Sequence, residues 1–131
     1  MFHRLDTDGA VNRIYYTSHF ARTVDKLSGR DRKGAHKVVA WLNKLSERFP
    51  NKPEMWEKIR RCKDIELFEL KPKPYRVAVL VRGNICLCVH LWKVERRKGR
   101  KKEADIETAC AKAREVYDEF VRFVKELQER P

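Results

Sequence analysis

Residues 65–92, IELFELKPKPYRVAVLVRGNICLCVHLW, decide the fold because they hold three strand-like runs in quick succession. The runs span residues 65–70, 75–82 and 85–92, and each is rich in β-branched, aliphatic or aromatic side chains. Lys71-Pro72-Lys73-Pro74 separates the first two runs, and Gly83-Asn84 favours a tight two-residue turn between the last two. The stretch therefore predicts consecutive strands, the last two joined as an antiparallel hairpin.

Alternation of side chains gives each of the last two runs one apolar face and one mixed face. We expect the apolar faces to lie beneath helices and the mixed faces to line a shallow polar surface. In residues 75–82 the apolar face carries Tyr75, Val77, Val79 and Val81, opposite Arg76, Ala78, Leu80 and Arg82. In residues 85–92 it carries Ile85, Leu87, Val89 and Leu91, opposite Cys86, Cys88, His90 and Trp92.

The flanking sequence predicts one further strand and three helices. Residues 13–17, RIYYT, predict a first strand, and Thr17 and Ser18 can cap a helix that stops near Gly29. Asp31 predicts the N-cap of a second helix, which Pro50 ends, and apolar residues recur at helical spacing from Ile106 onwards. The predicted order is β-α-α-β-β-β-α, an α+β fold in a single domain of residues 1–131 whose first 12 residues form a loose lead-in.

The charge is large and unevenly placed. The 131 residues include 31 Lys and Arg against 19 Asp and Glu, a formal net charge of +12, and 42% are hydrophobic. Half of the excess lies in residues 93–102, KVERRKGRKK, with seven cations and one acid. Such a cluster favours polyanions, because each neutralised phosphate releases counterions. The alternative is a solvated loop that is basic for solubility.

The sequence argues against a membrane protein. No apolar run reaches the roughly 18–20 residues of a membrane helix, and the N-terminus lacks the apolar region of a secretory signal. We therefore expect a cytoplasmic protein whose cysteines, Cys62, Cys86, Cys88 and Cys110, are reduced thiols. Gly-rich phosphate loops, a G-x-S-x-G motif and paired metal-binding carboxylates do not occur in the sequence, which argues against an NTPase or a hydrolase of those classes. We also expect no cofactor.

Two residues in the strands are candidates for catalysis. Arg76 interrupts an aliphatic run, where a guanidinium needs water or an anion, and it suits bidentate contact with phosphate. His90 ends a mixed face and is a candidate proton shuttle, the alternative being a structural histidine. Lys71 and Lys73 precede the strand of Arg76 and are expected to flank the same surface. The alternative is that they are edge cations that protect the sheet from aggregation.

Cys86, Cys88 and His90 stand in a row at two-residue spacing. This row makes a poor tetrahedral cage, since structural zinc sites combine two separate pairs of ligands. We therefore expect buried thiols and no metal.

Several of these segments resemble one known family. They are the strand Leu67-Phe68-Glu69-Leu70-Lys71, the residues Tyr75-Arg76-Val77 and Val89-His90-Leu91-Trp92, the basic loop, and the helix start Ile106-Glu107-Thr108-Ala109. Together they resemble the RelE/ParE superfamily of toxin–antitoxin toxins, and most of all its HigB-like, phage-related branch. The resemblance covers roughly residues 13–125.

The resemblance implies a small twisted antiparallel sheet with helices packed on one face. It also implies metal-independent cleavage of messenger RNA, commonly on the ribosome, by attack of the ribose 2′-hydroxyl on the adjacent phosphate. Arg76 would stabilise the pentavalent phosphate, and His90 would act as acid or base. The predicted RNA-binding cations are Lys71, Lys73, Lys93, Arg96, Arg97, Lys98 and Arg100.

One departure from the family bears on the activity. Leu67 and Glu69 occupy positions where RelE-type enzymes carry catalytic lysines. If the protein cleaves RNA, His90 or a loop cation must then transfer the proton.

Two other functions fit the same pattern: a non-catalytic ParE-like inhibitor of DNA gyrase, and a basic RNA-binding module. The ribonuclease interpretation requires Arg76 and His90 to line one open face, whereas the gyrase interpretation requires neither. The expected partners of a ribonuclease toxin are mRNA, the ribosome and a cognate antitoxin. An acidic segment of the antitoxin would cover the basic surface.

Overall fold

A six-stranded sheet forms the centre of the structure, a computed structural model that describes residues 1–95 and 100–130 without the side chains of residues 100 and 101. The elements are β1 (His3–Arg4), β2 (Arg13–Tyr16), α1 (Ser18–Arg30), α2 (Arg32–Glu47), β3 (Trp56–Lys58), β4 (Leu67–Leu70), β5 (Tyr75–Arg82), β6 (Ile85–Lys93) and α3 (Arg100–Glu129). The strand order is β1-β2-β6-β5-β4-β3; β2 and β6 are parallel, and the other neighbours are antiparallel. The fold is therefore α+β. No helix in the described part of the chain is both long and apolar enough to cross a membrane.

The helices lie on both faces of the sheet, so the expectation of helices on one face is wrong. α1 and α2 pack on a face that includes Val77 and Val79, whereas α3 packs on the opposite face against Leu80 and Leu87. The cause is that β5 and β6 carry apolar residues on both faces. A strand that is apolar on both faces needs cover on both.

A β-bulge in β6 changes which residues share a face. Ala78 pairs with His90, whereas the next residue of β5 pairs with Cys88, so Val89 is the extra residue. Beyond the bulge, Leu91 packs on the same side as Cys88 and not with Val89. The predicted grouping of Leu91 with Val89, and of His90 with Cys88, is therefore wrong.

The predicted caps of the first two helices are confirmed. The side chain of Thr17 accepts a hydrogen bond from the backbone N–H of Phe20 at 3.1 Å, and that of Asp31 accepts one from Gly34 at 2.9 Å. Asp31 also ends α1, because its N–H donates to the carbonyl of Leu27. A Cβ on Gly34 would lie 2.3 Å from the carboxylate of Asp31 and 2.6 Å from the ring of Tyr75, so any larger residue would have to displace these side chains.

Two strands and the start of α3 differ from the prediction. β1 and β3 were not expected, and α3 begins at Arg100, before the predicted start at Ile106. The observed order is therefore β-β-α-α-β-β-β-β-α, because two short edge strands join the predicted elements.

Residues 1–12 are attached to the sheet and to α2, so the expectation of a loose lead-in is wrong. β1 pairs with β2 at the edge of the sheet. The backbone N–H groups of Val11 and Asn12 donate to the carbonyl of Ser46, and the Asn12 side chain donates to the carbonyl of Leu45 at 2.7 Å. These bonds satisfy carbonyls in the last turn of α2, which have no partner within the helix.

A disulfide between Cys62 and Cys110 fastens α3 to the segment that links β3 and β4. The expectation of reduced thiols is wrong for this pair, because the fold brings their Cα atoms to 6.0 Å, within bridging distance. Two ion pairs flank the disulfide on the same side of α3. They join Glu107 to Arg61 and Arg114 to Asp64.

Candidate nucleic-acid interface

Arg76 lies near the start of β5, on the face of the sheet that carries α3. Its neighbours Tyr75 and Val77 are buried on the opposite face under α1 and α2. The guanidinium Nε lies 3.0 Å from Oε1 of Glu69 on β4, and both side chains are 14% exposed. A guanidinium nitrogen, Nη1, also donates to the carbonyl of Tyr75 at 3.1 Å. The anion beside Arg76 is therefore a carboxylate of the protein, which an incoming phosphate would have to displace.

Glu69 lies in a dense arrangement of charges. Burial raises its pKa, against the lowering effects of Lys71, Arg76 and, more weakly, Lys102 of α3. Lys71 is 15% exposed, and its Nζ lies 3.1 Å from Oε1 of Glu57, the register partner of Glu69 on β3. We call Glu57, Glu69, Lys71 and Arg76 the charged cluster. It occupies one end of the α3 face of the sheet.

Three nearly parallel rings extend from the charged cluster towards α1. Trp92 is the register partner of Arg76, and its ring stacks on that of His90 with centroids 5.6 Å apart. His90 stacks in turn on His19 of α1 with centroids 5.3 Å apart. Nε2 of His19 lies 3.1 Å from Nδ1 of His90, so the two imidazoles are hydrogen-bonded. The rings and the charged cluster form one band across the end of the sheet.

His90 is uncharged at neutral pH. Burial, followed by the charges of His19 and Lys112, lowers its pKa to about 4. Burial also lowers the pKa of His19. A group that is to donate a proton as a general acid needs a pKa near the working pH. At pH 7 His90 therefore has no imidazolium proton to donate, and it is a weak base.

The predicted catalytic residues lie on neighbouring strands. Arg76 is opposite Trp92, and His90 is opposite Ala78, so the two residues are one alternation step apart on the band. The structure thus brings Arg76 and His90 together, with Trp92 between the charged cluster and the histidines.

The predicted RNA-binding cations do not form one group. Lys71 belongs to the charged cluster, but Lys93 is the register partner of Tyr75 and shares its side of the sheet. Lys73 is exposed in the turn before β5, where its carbonyl accepts a hydrogen bond from Nζ of Lys37 on α2 at 2.6 Å. Arg96, Arg97 and Lys98 lie outside the described residues, and Arg100 is the first residue of α3 with its side chain also outside them.

Sequence reasoning missed two members of the band as functional groups, Glu69 and His19. Glu69 stands two residues before Lys71, so strand alternation alone puts both on one face. A guanidinium within an apolar strand needs an anion beside it, and this need also points to Glu69 as the partner of Arg76. His19 has no comparable signal, because only the parallel pairing of β2 with β6 brings it to His90.

Cys86 and Cys88 are buried on the side of α1 and α2, which confirms the expectation of buried thiols. Burial raises the pKa of Cys86 to about 12 and that of Cys88 well above its usual range. Within the described residues, no three metal-ligating side chains come together. These cysteines are part of the core.

Comparison with known proteins gives a relative and no activity. A protein of Aquifex aeolicus (strain VF5), described as uncharacterized, is 28% identical over 126 residues, which cover 92% of this chain and 92% of that protein. No family model and no solved structure matches the chain. The chemistry of the band therefore carries the functional conclusion.

Proposed function

We propose that this protein is an RNA-cleaving toxin of the RelE/ParE kind, which cuts mRNA without a metal and is silenced by an antitoxin. The observation that carries the proposal is the Arg76–Glu69 pair on the α3 face, in a chain with a formal net charge of +12. A guanidinium is suited to a phosphate, and the carboxylate beside it is suited to the proton of a 2′-hydroxyl. The resemblance of residues 67–71, 75–77 and 89–92 to that superfamily supports the same reaction.

The reaction requires Glu69 and Arg76 to separate. An RNA phosphate replaces the carboxylate on Arg76, because both are oxyanions and Arg can bind a phosphate through two N–H groups. Glu69, in place of the His90 or loop cation expected from the sequence, then takes the proton of the 2′-hydroxyl, whose oxygen bonds to phosphorus. The bond from phosphorus to the 5′-oxygen breaks, and that oxygen takes a proton from water. The hydroxide that remains takes the proton held by Glu69, which restores the carboxylate. The products are a 2′,3′-cyclic phosphate and a 5′-hydroxyl.

The surroundings of the pair favour this chemistry. Burial raises the pKa of Glu69, which makes it a stronger base than an exposed carboxylate. Arg76 stabilises the charge that develops on the phosphate. Trp92, opposite Arg76, offers a ring for a neighbouring base, and such stacking contributes about 1–3 kcal/mol per base.

A non-catalytic toxin of the ParE kind, which binds DNA gyrase, is the second candidate. The observation that favours it is the state of His90, which is uncharged at pH 7 and hydrogen-bonded to His19. The band then supplies no histidine acid near neutral pH. A gyrase inhibitor needs no proton transfer, so its toxicity would survive the loss of Arg76 and His90.

Expression from a tightly controlled promoter, followed by mapping of transcript ends on ribosomes, tests the proposal. We expect new mRNA ends with 2′,3′-cyclic phosphates, and a fall in cleavage of about 100- to 1,000-fold for Arg76→Ala, which removes the phosphate ligand. Arg82→Ala is the matched control, because Arg82 is an exposed arginine at the other end of the same strand. Growth arrest without new ends, unchanged in Arg76→Ala, would contradict the ribonuclease and favour the gyrase inhibitor.

The variant Glu69→Gln tests the base alone. The glutamine keeps an oxygen that accepts a hydrogen bond from Arg76, but it cannot take a proton. We expect in vitro cleavage of a short RNA to fall about 100- to 10,000-fold, with RNA binding retained. Glu66→Gln is the control, since Glu66 is an exposed acid just before β4. Cleavage by Glu69→Gln at the wild-type rate would assign the base to another group.

A further inference from the structure

A cleft of about 520 Å³ lies between α1 and the ends of β5 and β6, next to the band. α1 lines it with Thr23, Leu27 and Arg30, the strands line it with Tyr75, Leu91 and Lys93, and two carboxylate residues, Asp31 and Glu95, complete the lining. Trp92, the register partner of Arg76, also lines the cleft, which therefore adjoins the charged cluster around the end of the sheet. We call it the α1 cleft. Its volume is within the range of about 300–1,000 Å³ that ligand pockets occupy.

The α1 cleft carries two cations that are not paired with acids. Within residues 1–95 and 100–130, neither Arg30 nor Lys93 forms an ion pair with a described side chain. The carboxylate of Asp31 is already bonded to the hydroxyl of Tyr75 at 2.6 Å and to the N–H of Gly34 at 2.9 Å. Arg30 and Lys93 are therefore available to an anion.

Both charges act within the cleft. The hydrogen bonds from Tyr75 and Gly34, and then the charge of Lys93, lower the pKa of Asp31. Burial and the bond to Asp31 raise the pKa of Tyr75 to about 12, and the charge of Arg30 opposes this rise. The two cations thus act on the same Tyr75–Asp31 pair.

The base of the cleft is apolar. Leu27, Tyr75 and Leu91 are buried, at 5%, 4% and 4% exposed. Above this base lie Arg30 and Lys93, beside the carboxylates of Asp31 and Glu95. A ligand that has both a flat apolar ring and a phosphate can contact the apolar base and the two cations. A nucleotide has both.

We propose that the α1 cleft holds one nucleotide of the RNA strand whose neighbouring phosphate is bound by Arg76. The base occupies the apolar part of the cleft, and the phosphate is bound by Arg30 and Lys93. This inference rests on the proposed function, because it assumes an RNA strand at Arg76. Lys93 lies apart from the charged cluster. In this arrangement Lys93 contacts the same RNA, because the RNA passes beside Trp92 around the end of β5 and β6.

Binding of a fluorescein-labelled, 2′-O-methyl hexanucleotide, measured by fluorescence anisotropy over a salt series, tests the inference. The 2′-O-methyl groups prevent cleavage. We expect the double variant Arg30→Ala/Lys93→Ala to bind at least tenfold more weakly, with a log–log salt slope smaller by about 0.7, because the contact with one phosphate is lost. Thr23→Phe fills the cleft without changing the charge and is expected to weaken binding as well.

The control is Arg122→Ala/Lys125→Ala, which removes one exposed arginine and one exposed lysine from α3 outside the cleft. Wild-type binding by both the double variant and Thr23→Phe, with weaker binding by Arg76→Ala, would overturn the inference and leave the proposed function standing. No hexanucleotide binding by the wild-type protein would overturn the proposed function itself. A free 5′-mononucleotide that binds as tightly as the hexanucleotide would make the cleft a nucleotide site unconnected with RNA.

Discussion

The two faces of the sheet use the same strands but are covered to different degrees. On one face, α1 and α2 bury Ile14, Val77 and Val79 so completely that each is 0% exposed. On the other face, α3 buries the residues towards the β5–β6 turn, whereas the side chains of Glu69 and Arg76 at the opposite end keep 14% of their surface exposed. Two adjacent residues of β5, Arg76 and Val77, therefore lie in opposite environments.

The difference shows where this fold can hold charge. Two helices cover the middle of a sheet face, around Val77 and Val79, and a charge placed there would lose its hydration. A single helix leaves one end of its face within reach of water, so an ion pair such as Arg76–Glu69 keeps part of its solvation. The polar link on the sealed face, from Tyr75 to Asp31, is confined to the rim where α1 meets α2. The charged cluster is therefore a place where polar chemistry does not weaken the core.

The largest expected difference between the faces is their response to a reductant. The disulfide between Cys62 and Cys110 fastens α3 and spans a sequence separation of 48 residues, for which the chain-entropy model gives about 4 kcal/mol. Cys86 and Cys88 on the other side are unbonded. We expect dithiothreitol to lower the free energy of unfolding by about 4 kcal/mol, measured by urea titration at equilibrium.

Two variants assign that response to one face. Cys62→Ser/Cys110→Ser should be less stable and insensitive to dithiothreitol. Cys86→Ala/Cys88→Ala should keep the full response, because its disulfide is intact. If the wild-type protein were equally stable with and without dithiothreitol, packing and the two flanking ion pairs alone would hold α3, and the two faces would not differ in this respect.

The sequence predicts best those parts of the fold that depend on local interactions. Thr17 and Asp31 form caps with residues three positions away, so α1 and α2 can be located from sequence. β1 and β3 could not be, because short segments become strands only by pairing with β2 and β4. The second covered face was also missed, although the apolar residues on both faces of β5 and β6 indicate it.

The candidate site also contains some residues that the sequence predicts and others that only the folded structure shows. Arg76 can be identified from the sequence because it interrupts an apolar run. Its partner Glu69 can also be predicted, because Arg76 needs an anion and strand alternation puts Glu69 on the same face as Lys71. His19 is 71 residues from His90 and meets it only in the folded chain. The bulge at Val89 shifts the register without any glycine to mark it, so simple alternation assigned Leu91 to the wrong face.

A smaller difference between the faces is expected in their response to pH. His90 has a pKa of about 4 in the folded protein, below the ordinary 6.5, because it is buried beside His19 and Lys112. The unfolded chain therefore binds a proton first as the pH falls. The stability due to neutral His90 is complete above pH 6.5 and is lost as the pH falls towards 4. This pKa difference corresponds to a loss of at most about 3 kcal/mol in the free energy of unfolding.

Urea titrations at pH 7 and pH 5 measure this loss. The variant His90→Gln should lose less stability than the wild-type protein between the two pH values, whereas His36→Gln, at an exposed histidine of α2, should behave as wild type. The carboxylate of Asp64, with a pKa of about 2, titrates below this window and does not contribute. The pKa of His19 is also lowered, so protonation of His19 destabilises the protein in the same direction. This part of the loss of stability remains in His90→Gln. An unchanged pH dependence in His90→Gln would mean that water reaches this imidazole freely. The band would then be a solvated edge, and the contrast between a sealed face and a face with partly buried polar groups would rest on Arg76 and Glu69 alone.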